Sequence, residues 1–369
     1  MIHPPAWPAL AAAAYWLVVL LAVWRHLARR RAYPSYAPPV SILKPIHGRD
    51  PQFYEAIRAH ATQQYAGPFE ILFGVRGAEE PALEDIARLS AEYPQAQIRV
   101  IWVTSNPANA KVGSLADLAR AARYNTLLVS DSDIHVEPGY LRRVVAPLSD
   151  PQIGIVTCLY RARAQTRASL FEAIGIGTDF AAGVLVAPLV GVAEFALGST
   201  MVFRRADLEA MGGFETLASY LADDYQLGAH ISRLGRRVAL SDVVVQTNLS
   251  GSWRDVWMHQ LRWSRTIRVC RPMGYYGFAA TQAVVWALLA ALAGAWQTAL
   301  ITLGIRMIAG VAVGAGVLRD RNILRCFWLI PFRDLFGFAV WAAALGGNTV
   351  EWRGKKLRLF PDGTVKPLH

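Results

Sequence analysis

Thr126-Leu127-Leu128-Val129-Ser130-Asp131-Ser132-Asp133 is an apolar run that stops abruptly at acid–x–acid. So short and oily a run predicts a strand buried on both faces, as strands of parallel α/β sheets are. Open sheets of that class bind ligands outside the carboxyl ends of their strands. Asp131 and Asp133 therefore stand where a ligand is expected. Two carboxylates one residue apart can share a hard divalent cation, Mg²⁺ or Mn²⁺, the usual partner of a diphosphate. A solvated turn with a helix cap would show the same letters, so the surrounding chain has to decide.

Working outward, residues 40–46, 69–75 and 98–103 read as further strands, and 51–64, 81–93 and 112–123 as helices between them. Strands alternating with helices imply βαβ units and a mainly parallel sheet. Beyond Asp133, residues 153–160 and 195–204 read as strands. The apolar, Gly-rich stretch 168–192 reads as a core helix or a surface resting on a bilayer. No G-x-G-x-x-G or Walker-type phosphate loop follows any strand, which counts against a dinucleotide-dependent enzyme and a P-loop NTPase.

The chain has 369 residues, 54% hydrophobic and only 18% charged, too oily for a purely soluble enzyme of this size. The excess lies at the two ends. Residues 6–24 form an uncharged stretch of about 19, close to the roughly 20 needed to span a hydrocarbon core. Arg25, His26, Arg29, Arg30 and Arg31 follow it. A secretory signal would put its basic residues first, so the order suggests an anchor with the globular part in the cytoplasm. Near the other end, 279–303 and 304–318 read as a hairpin of spans, with Arg306 in the second. Residues 326–345 are interrupted by Pro331, Arg333 and Asp334 and suit a broken or re-entrant segment, leaving two or three spans open. The expected organisation is an anchor with its basic flank (1–31), a cytoplasmic domain (38–250), an amphipathic interfacial helix (251–271), membrane segments (279–346) and a basic tail (347–369), in an inner membrane. Cys158, Cys270 and Cys326 are too scattered for a disulfide framework or zinc site. The net charge of +11 sits beside apolar segments, so anionic lipid explains it better than nucleic acid does.

Asp223-Asp224 precedes a predicted helix over 225–234, so one acid suits an N-cap; the other reading is a general base within reach of an acceptor hydroxyl. His259-Gln260-Leu261-Arg262-Trp263 lies on a predicted amphipathic helix over 253–269. There Arg262, Arg265 and Arg268 suit phospholipid, and Arg262 and Trp263 also suit a leaving diphosphate and a stacked acceptor.

Taken in order, D-x-D after a strand, Asp-Asp-Tyr, and x-x-Arg-Trp before membrane segments resemble the inverting, membrane-bound family 2-like glycosyltransferases. The resemblance is strongest to the ceramide glucosyltransferase branch and its bacterial relatives, hopanoid-associated enzymes among them. Ser41-Ile42-Leu43-Lys44-Pro45, Gly198-Ser199-Thr200-Met201, Leu221–Tyr225, His259–Arg268 and Trp352-Arg353-Gly354 carry it nearly end to end. It implies a GT-A nucleotide-diphospho-sugar fold with transmembrane helices at both ends. It also implies transfer of glucose or N-acetylglucosamine from a UDP-sugar to the hydroxyl of a ceramide-like or hopanoid lipid. On the same grounds Asp131 and Asp133 hold the metal, and Glu80, Lys111, Asp131 and Arg262 hold the nucleotide-sugar. Asp224 is the base, while Gly198, Ser199, Thr200, Asp223, His259 and Trp263 shape the acceptor side. Glu80 departs from the aspartate usual in the branch, and His259 from the usual Gln or Arg. The second departure disfavours a processive polysaccharide synthase. A non-catalytic scaffold with a transferase-like domain is the other alternative, disfavoured because every candidate acid is present.

Overall fold

The computed structural model describes residues 6–29, 34–352 and 354–368, so Arg30, Arg31 and Arg353 lie outside the described residues. The chain divides into two units: 31–160 with 193–248, and 1–30 with 161–192 and 249–369. The stretch 161–192, which falls inside the 38–250 domain of the sequence reading, thus groups with the apolar ends.

The first unit is built on a seven-stranded sheet in the order β3-β2-β1-β4-β6-β5-β7. The strands are β1 (Val40–Pro45), β2 (Phe69–Val75), β3 (Gln97–Trp102), β4 (Thr126–Val129), β5 (Ile153–Ala164), β6 (Met201–Arg204) and β7 (Arg237–Leu249). β1 pairs in parallel with β2 and β4, and β2 with β3, while β6 is antiparallel to both β4 and β5. Consecutive residues feed opposite faces: Ile42, Phe73, Leu128 and Val202 one core, Leu43, Leu72, Leu127 and Phe203 the other. That is why these strands read as mostly apolar runs, with Ser41, Lys44 and Glu70 as buried polar exceptions.

Chain order runs one way from β1 through β2 to β3 and the other way to β4. The crevice between the ends of β1 and β4 is therefore a topological switch point, where sheets of this class bind ligands. Lys44, at the end of β1, donates to the backbone carbonyl of Asp131, just past β4, at 2.9 Å.

Three predicted features are corrected. The strand expected over 195–204 shrinks to Met201–Arg204, because 193–200 is a loop whose groups bond sideways into β5. Neither Asp223 nor Asp224 is an N-cap: both lie in the first turn of the helix Asp223–Arg233, capped by Ala222 without a side-chain bond. The helix break in the C-terminal block falls at Gly294 and not before Gly304. Gly294 takes φ +84° after Ala283–Leu292, and Ala295 N–H closes on Ala290 O at 2.8 Å, a left-handed cap that a β-carbon would penalise.

Among the described residues of the second unit, three helices are long and apolar enough to cross a membrane: Trp7–Ala28, Arg167–Val190 and Trp296–Val317. A bent pair, Pro272–Thr281 and Ala283–Leu292, reaches that standard together. Ala9, Ala287, Ala290 and Ala299 let helices approach closely, and Thr302 Oγ1 donates to Ala9 O at 3.2 Å. Arg306 is wholly buried, bidentate to Asp334 at 2.7 and 2.6 Å, with its guanidinium 3.9 Å from the Trp16 ring centre. Pro331 does not interrupt a helix; it opens Ile330–Ala344, where a missing N–H costs nothing. The tail folds into an antiparallel sheet of β8 (Thr349–Trp352), β9 (Lys355–Leu359) and β10 (Val365–Pro367).

Candidate active site

Lys111 is the centre of a charged cluster at the switch point. Its helix, Ala110–Ala121, starts at Asn109, whose side-chain oxygen accepts from the N–H groups of Lys111 and Val112. The Asn109 amide also donates to Tyr220 O at 2.7 Å, tying the helix start to the segment that leads into Asp223-Asp224. Lys111 Nζ then lies 2.6 Å from Asp131 Oδ1 and 3.6 Å from Asp223 Oδ2. Burial opposes the ammonium charge, but Asp131, Asp223 and Asp224 outweigh it and hold the Lys111 pKa above that of a free lysine.

Asp224 is oriented by two backbone amides. Gly198 N–H donates to its Oδ2 at 2.9 Å and Tyr225 N–H to its Oδ1 at 2.8 Å. A β-carbon on Gly198 would meet Asp224 Oδ2 and Lys111 Nζ at 3.3 Å and Asp131 Oδ2 at 3.4 Å, so three charged groups converge on one glycine. Burial, then the like charge of Asp223, raise Asp224 to about 6, with Lys111 pulling the other way. Ser199 and Thr200 support that glycine: Ser199 Oγ donates to Cys158 O at 3.3 Å, and Thr200 Oγ1 bonds Tyr140 at 3.0 Å.

Asp133 sits beside this cluster, accepting from Thr247, while Ser132 donates to Asp50 at 2.6 Å. Burial lifts Asp133 to about 6; the Thr247 bond opposes this, and the charges of Asp131 and Asp50 add to it. Beneath, Lys44 is fully buried and lowered to about 7, chiefly by burial, against the pull of Asp133, Asp131 and Asp50. Glu80 is not hydrogen-bonded into the cluster; its Oε1 is buried without a hydrogen-bond partner.

Within one unit the structure therefore joins Lys111, Asp131, Gly198, Asp223 and Asp224. It adds Lys44 and Asp50, which stand in stretches that carried the resemblance but were given no role there, and Asn109 and Thr247, which the sequence reading missed. Asn109 was findable as an N-cap before a helix; Thr247, which meets Asp133 across 114 positions, was not.

His259, Arg262 and Trp263 belong to the other unit, on the helix Trp253–Cys270, which opens with a Ser252–Asp255 capping box. The rings of His259 and Trp263 lie 4.6 Å apart, and Trp263 meets Phe180 at 5.5 Å. Arg265 and Arg268, expected to face phospholipid, donate to Gly346 O at 2.7 Å and Gly347 O at 2.8 Å. Carbonyls left over after the helix Ile330–Ala344 attract cations.

The sequence pattern of glycosyl transferase family 21 matches residues 6–365. The chain belongs to that family. Ceramide glucosyltransferase 1 of Caenorhabditis elegans is 32% identical over 210 residues, 55% of this chain and 44% of that protein. The match thus spans less than half of that relative's length. A ceramide glucosyltransferase of Pyricularia oryzae is 18% identical across 89% of this chain and 85% of its own. Among solved structures, a Pyrobaculum calidifontis mannosyltransferase in complex with GDP-Man and Mn²⁺ superposes with a TM-score of 0.56. That likeness, at 19% identity, covers 93% of this chain and 99% of that one. It shows the fold, a GT-A type transferase domain carried with apolar helices.

For this family 21 chain the donor set suits a cation shared with a substrate. No group of three or more His, Cys, Asp or Glu side chains placed to hold a metal is found among the described residues, so a closed protein cage is not built. Asp131 and Asp133 supply two hard oxygen donors, and Mg²⁺ or Mn²⁺ commonly takes one or two carboxylates and fills its shell with phosphate and water. Burial, with the like charges of Asp131 and Asp50 added, lifts Asp133, and a bound cation would offset both.

Proposed function

We propose that this protein is an inverting glycosyltransferase that moves a hexose from a UDP-sugar to a hydroxyl of a ceramide-like or hopanoid membrane lipid. The observation that carries the reading is the convergence of Lys111, Asp131 and Asp224 on Gly198 at the switch point of a GT-A sheet. Three supports are independent of it: the family 21 match, the ceramide glucosyltransferase relatives, and helices apolar enough to hold a lipid-processing enzyme in a membrane. On this reading the basic residues after the first apolar stretch put the sheet unit on the cytoplasmic side of an inner membrane.

Asp224 is the base. At about 6 its carboxylate is ionised at neutral pH yet basic enough to take a hydroxyl proton as the oxygen attacks the anomeric carbon. The C–O bond to the sugar forms on one face while the bond to the diphosphate breaks on the other, so configuration inverts. Fixed by two amides, the carboxylate needs no reorganisation before it acts. Asp131 and Asp133 would hold a divalent cation, which when bound would supply positive charge against the departing diphosphate. Lys111 balances the acids and approaches the nucleotide-sugar, and Glu80 completes the donor side. Gly198, Ser199, Thr200 and Asp223 shape the acceptor side. On their motif alone, Arg262 is assigned to the leaving diphosphate, and His259 and Trp263 to the acceptor.

Membranes containing the protein, incubated with isotopically labelled UDP-glucose or UDP-N-acetylglucosamine, should yield a lipid heavier by one hexosyl or N-acetylhexosaminyl unit. A product of many sugar units, or no labelled lipid from any nucleotide-sugar tried, would sink the reading.

A further inference from the structure

Glu172 lies in Arg167–Val190, a helix long and apolar enough to cross a membrane, where an ionisable side chain is expensive and usually functional. It is buried, and its Oε1 meets His259 Nδ1 at 2.7 Å and accepts from Gln260 Nε2 at 2.7 Å. Gln260 Oε1 in turn accepts from Arg333 at 2.7 Å, so both ends of the amide are used. Arg333 occupies space left by a missing side chain: a β-carbon on Gly175 would fall 2.0 Å from its Nε. Two aromatic contacts keep the same helices together, Phe171 with Trp253 at 5.4 Å and Phe180 with Trp263 at 5.5 Å. Two adjacent residues of the His-Gln-Leu-Arg-Trp motif are thus gripped by one carboxylate.

A carboxylate can only accept from a ring nitrogen, so Nδ1 carries the proton and, in the neutral ring, Nε2 is the acceptor. We infer that Glu172 is a positioning residue that fixes His259 with Nε2 ready to accept a hydrogen bond from a polar N–H or O–H of the lipid acceptor other than the hydroxyl that attacks the sugar. The inference rests on the lipid-glycosylating reading for the identity of that donor group. Trp263, 4.6 Å from the His259 ring, limits the ring's swing, and Arg333 through Gln260 keeps Glu172 in place. Outer groups that orient a metal-ligating histidine alter metal affinity or activity about 10- to 100-fold when removed, and the lower end of that scale is the effect expected here.

The test uses the full chain in lipid nanodiscs with ¹⁵N-labelled histidine, the His259 signal being identified by its loss in His259→Asn. The wild type should show His259 as the Nδ1–H tautomer. Glu172→Gln keeps an accepting oxygen and should preserve that tautomer and a lipid KM within about threefold. Glu172→Leu should lose the tautomer preference and raise the lipid KM about 10-fold while UDP-sugar affinity is unchanged. An Nε2–H tautomer in the wild type, or Glu172→Leu with tautomer and lipid KM both unchanged, overturns the inference. If Glu172→Leu does not fold, His259→Asn decides: its amide still donates to Glu172 but nothing replaces Nε2, so an unaltered lipid KM is equally fatal. If the wild type glycosylates no lipid, the functional reading fails, while the tautomer still tests the Glu172–His259 pairing.

Discussion

Lys111 Nζ stands 2.6 Å from Asp131 Oδ1, so the cation of one predicted donor-site residue is held by the first acid of the D-x-D pair. The same ammonium is 3.6 Å from Asp223, and so links the strand-end acids to the acids that open Asp223–Arg233. Without it Asp131, Asp223 and Asp224 would lose the ammonium that balances them.

Replacing Lys111 by Met should therefore cost stability and shift the chemistry. Breaking a buried pair typically costs about 3–5 kcal/mol. The Asp131 side chain is 38% exposed, so solvent screening reduces the loss here to about 1–3 kcal/mol. Asp224 would also lose the charge that lowers its pKa. The acid limb of the rate profile should move to higher pH, together with a Tm lower by a few degrees. An unmoved limb would show that Lys111 does not face the base.

Asp224→Asn keeps the shape and an acceptor oxygen but removes the base. Transfer should fall by about 10² to 10⁴ with UDP-sugar binding intact. In the wild type, kcat/KM should fall as pH drops through about 6, where the carboxyl takes up its proton. For stability the sign is opposite. A carboxyl whose folded pKa is raised stabilises most below its unfolded value, near 4, and that contribution is gone once pH passes about 6. The Asn variant should thus melt no lower than wild type at pH 8. Wild-type turnover in that variant would refute the base assignment.

Asp133, proposed as a metal ligand, should set the pH dependence of metal binding. Its carboxyl, lifted to about 6 by burial despite the Thr247 bond, must be ionised to take a cation. Apparent Mn²⁺ affinity, measured by calorimetry with UDP present, should hold above that pH and fall up to about tenfold per unit below it. Chelation should abolish transfer, and Asp133→Asn should flatten the affinity profile. A profile with no break between pH 5 and 7 would remove Asp133 from the ligand set.

The sheet was legible because β1, β2 and β4 are buried on both faces and read as mostly apolar runs ending at turn residues. β7 carried a weaker signal: Ser241, Val243, Val245 and Thr247 alternate toward the interior while Asp242, Val244, Gln246 and Asn248 are less buried, an alternation easily lost among short apolar clusters. The tail strands are short and charged, and pairing with one another is what makes them strands. Of the site, acids at strand and helix ends were visible because such ends are where carboxylates are useful. Gly198 was visible only as part of a motif; its closeness to three charges depends on a loop bonded across β5. Glu172 gave no sign at all, since its partner lies 87 positions away and an acid in an apolar stretch does not name its counterpart.

Arg306 and Asp334 make the last expectation. Arg306 has no exposure, and both its bonds to Asp334 are short and parallel, beneath the stacked Trp16 ring. A residue read from the sequence as an obstacle to a span is therefore neutralised by another, 28 positions on, read as an interruption. Each charge alone would be buried without compensation, so Arg306→Met or Asp334→Leu should each cost about 3–5 kcal/mol. The double variant strands neither charge and should regain most of that loss, with thermal unfolding in detergent returning to within a few degrees of wild type. Additive losses in the double variant would mean that the two side chains are not partners in the folded protein.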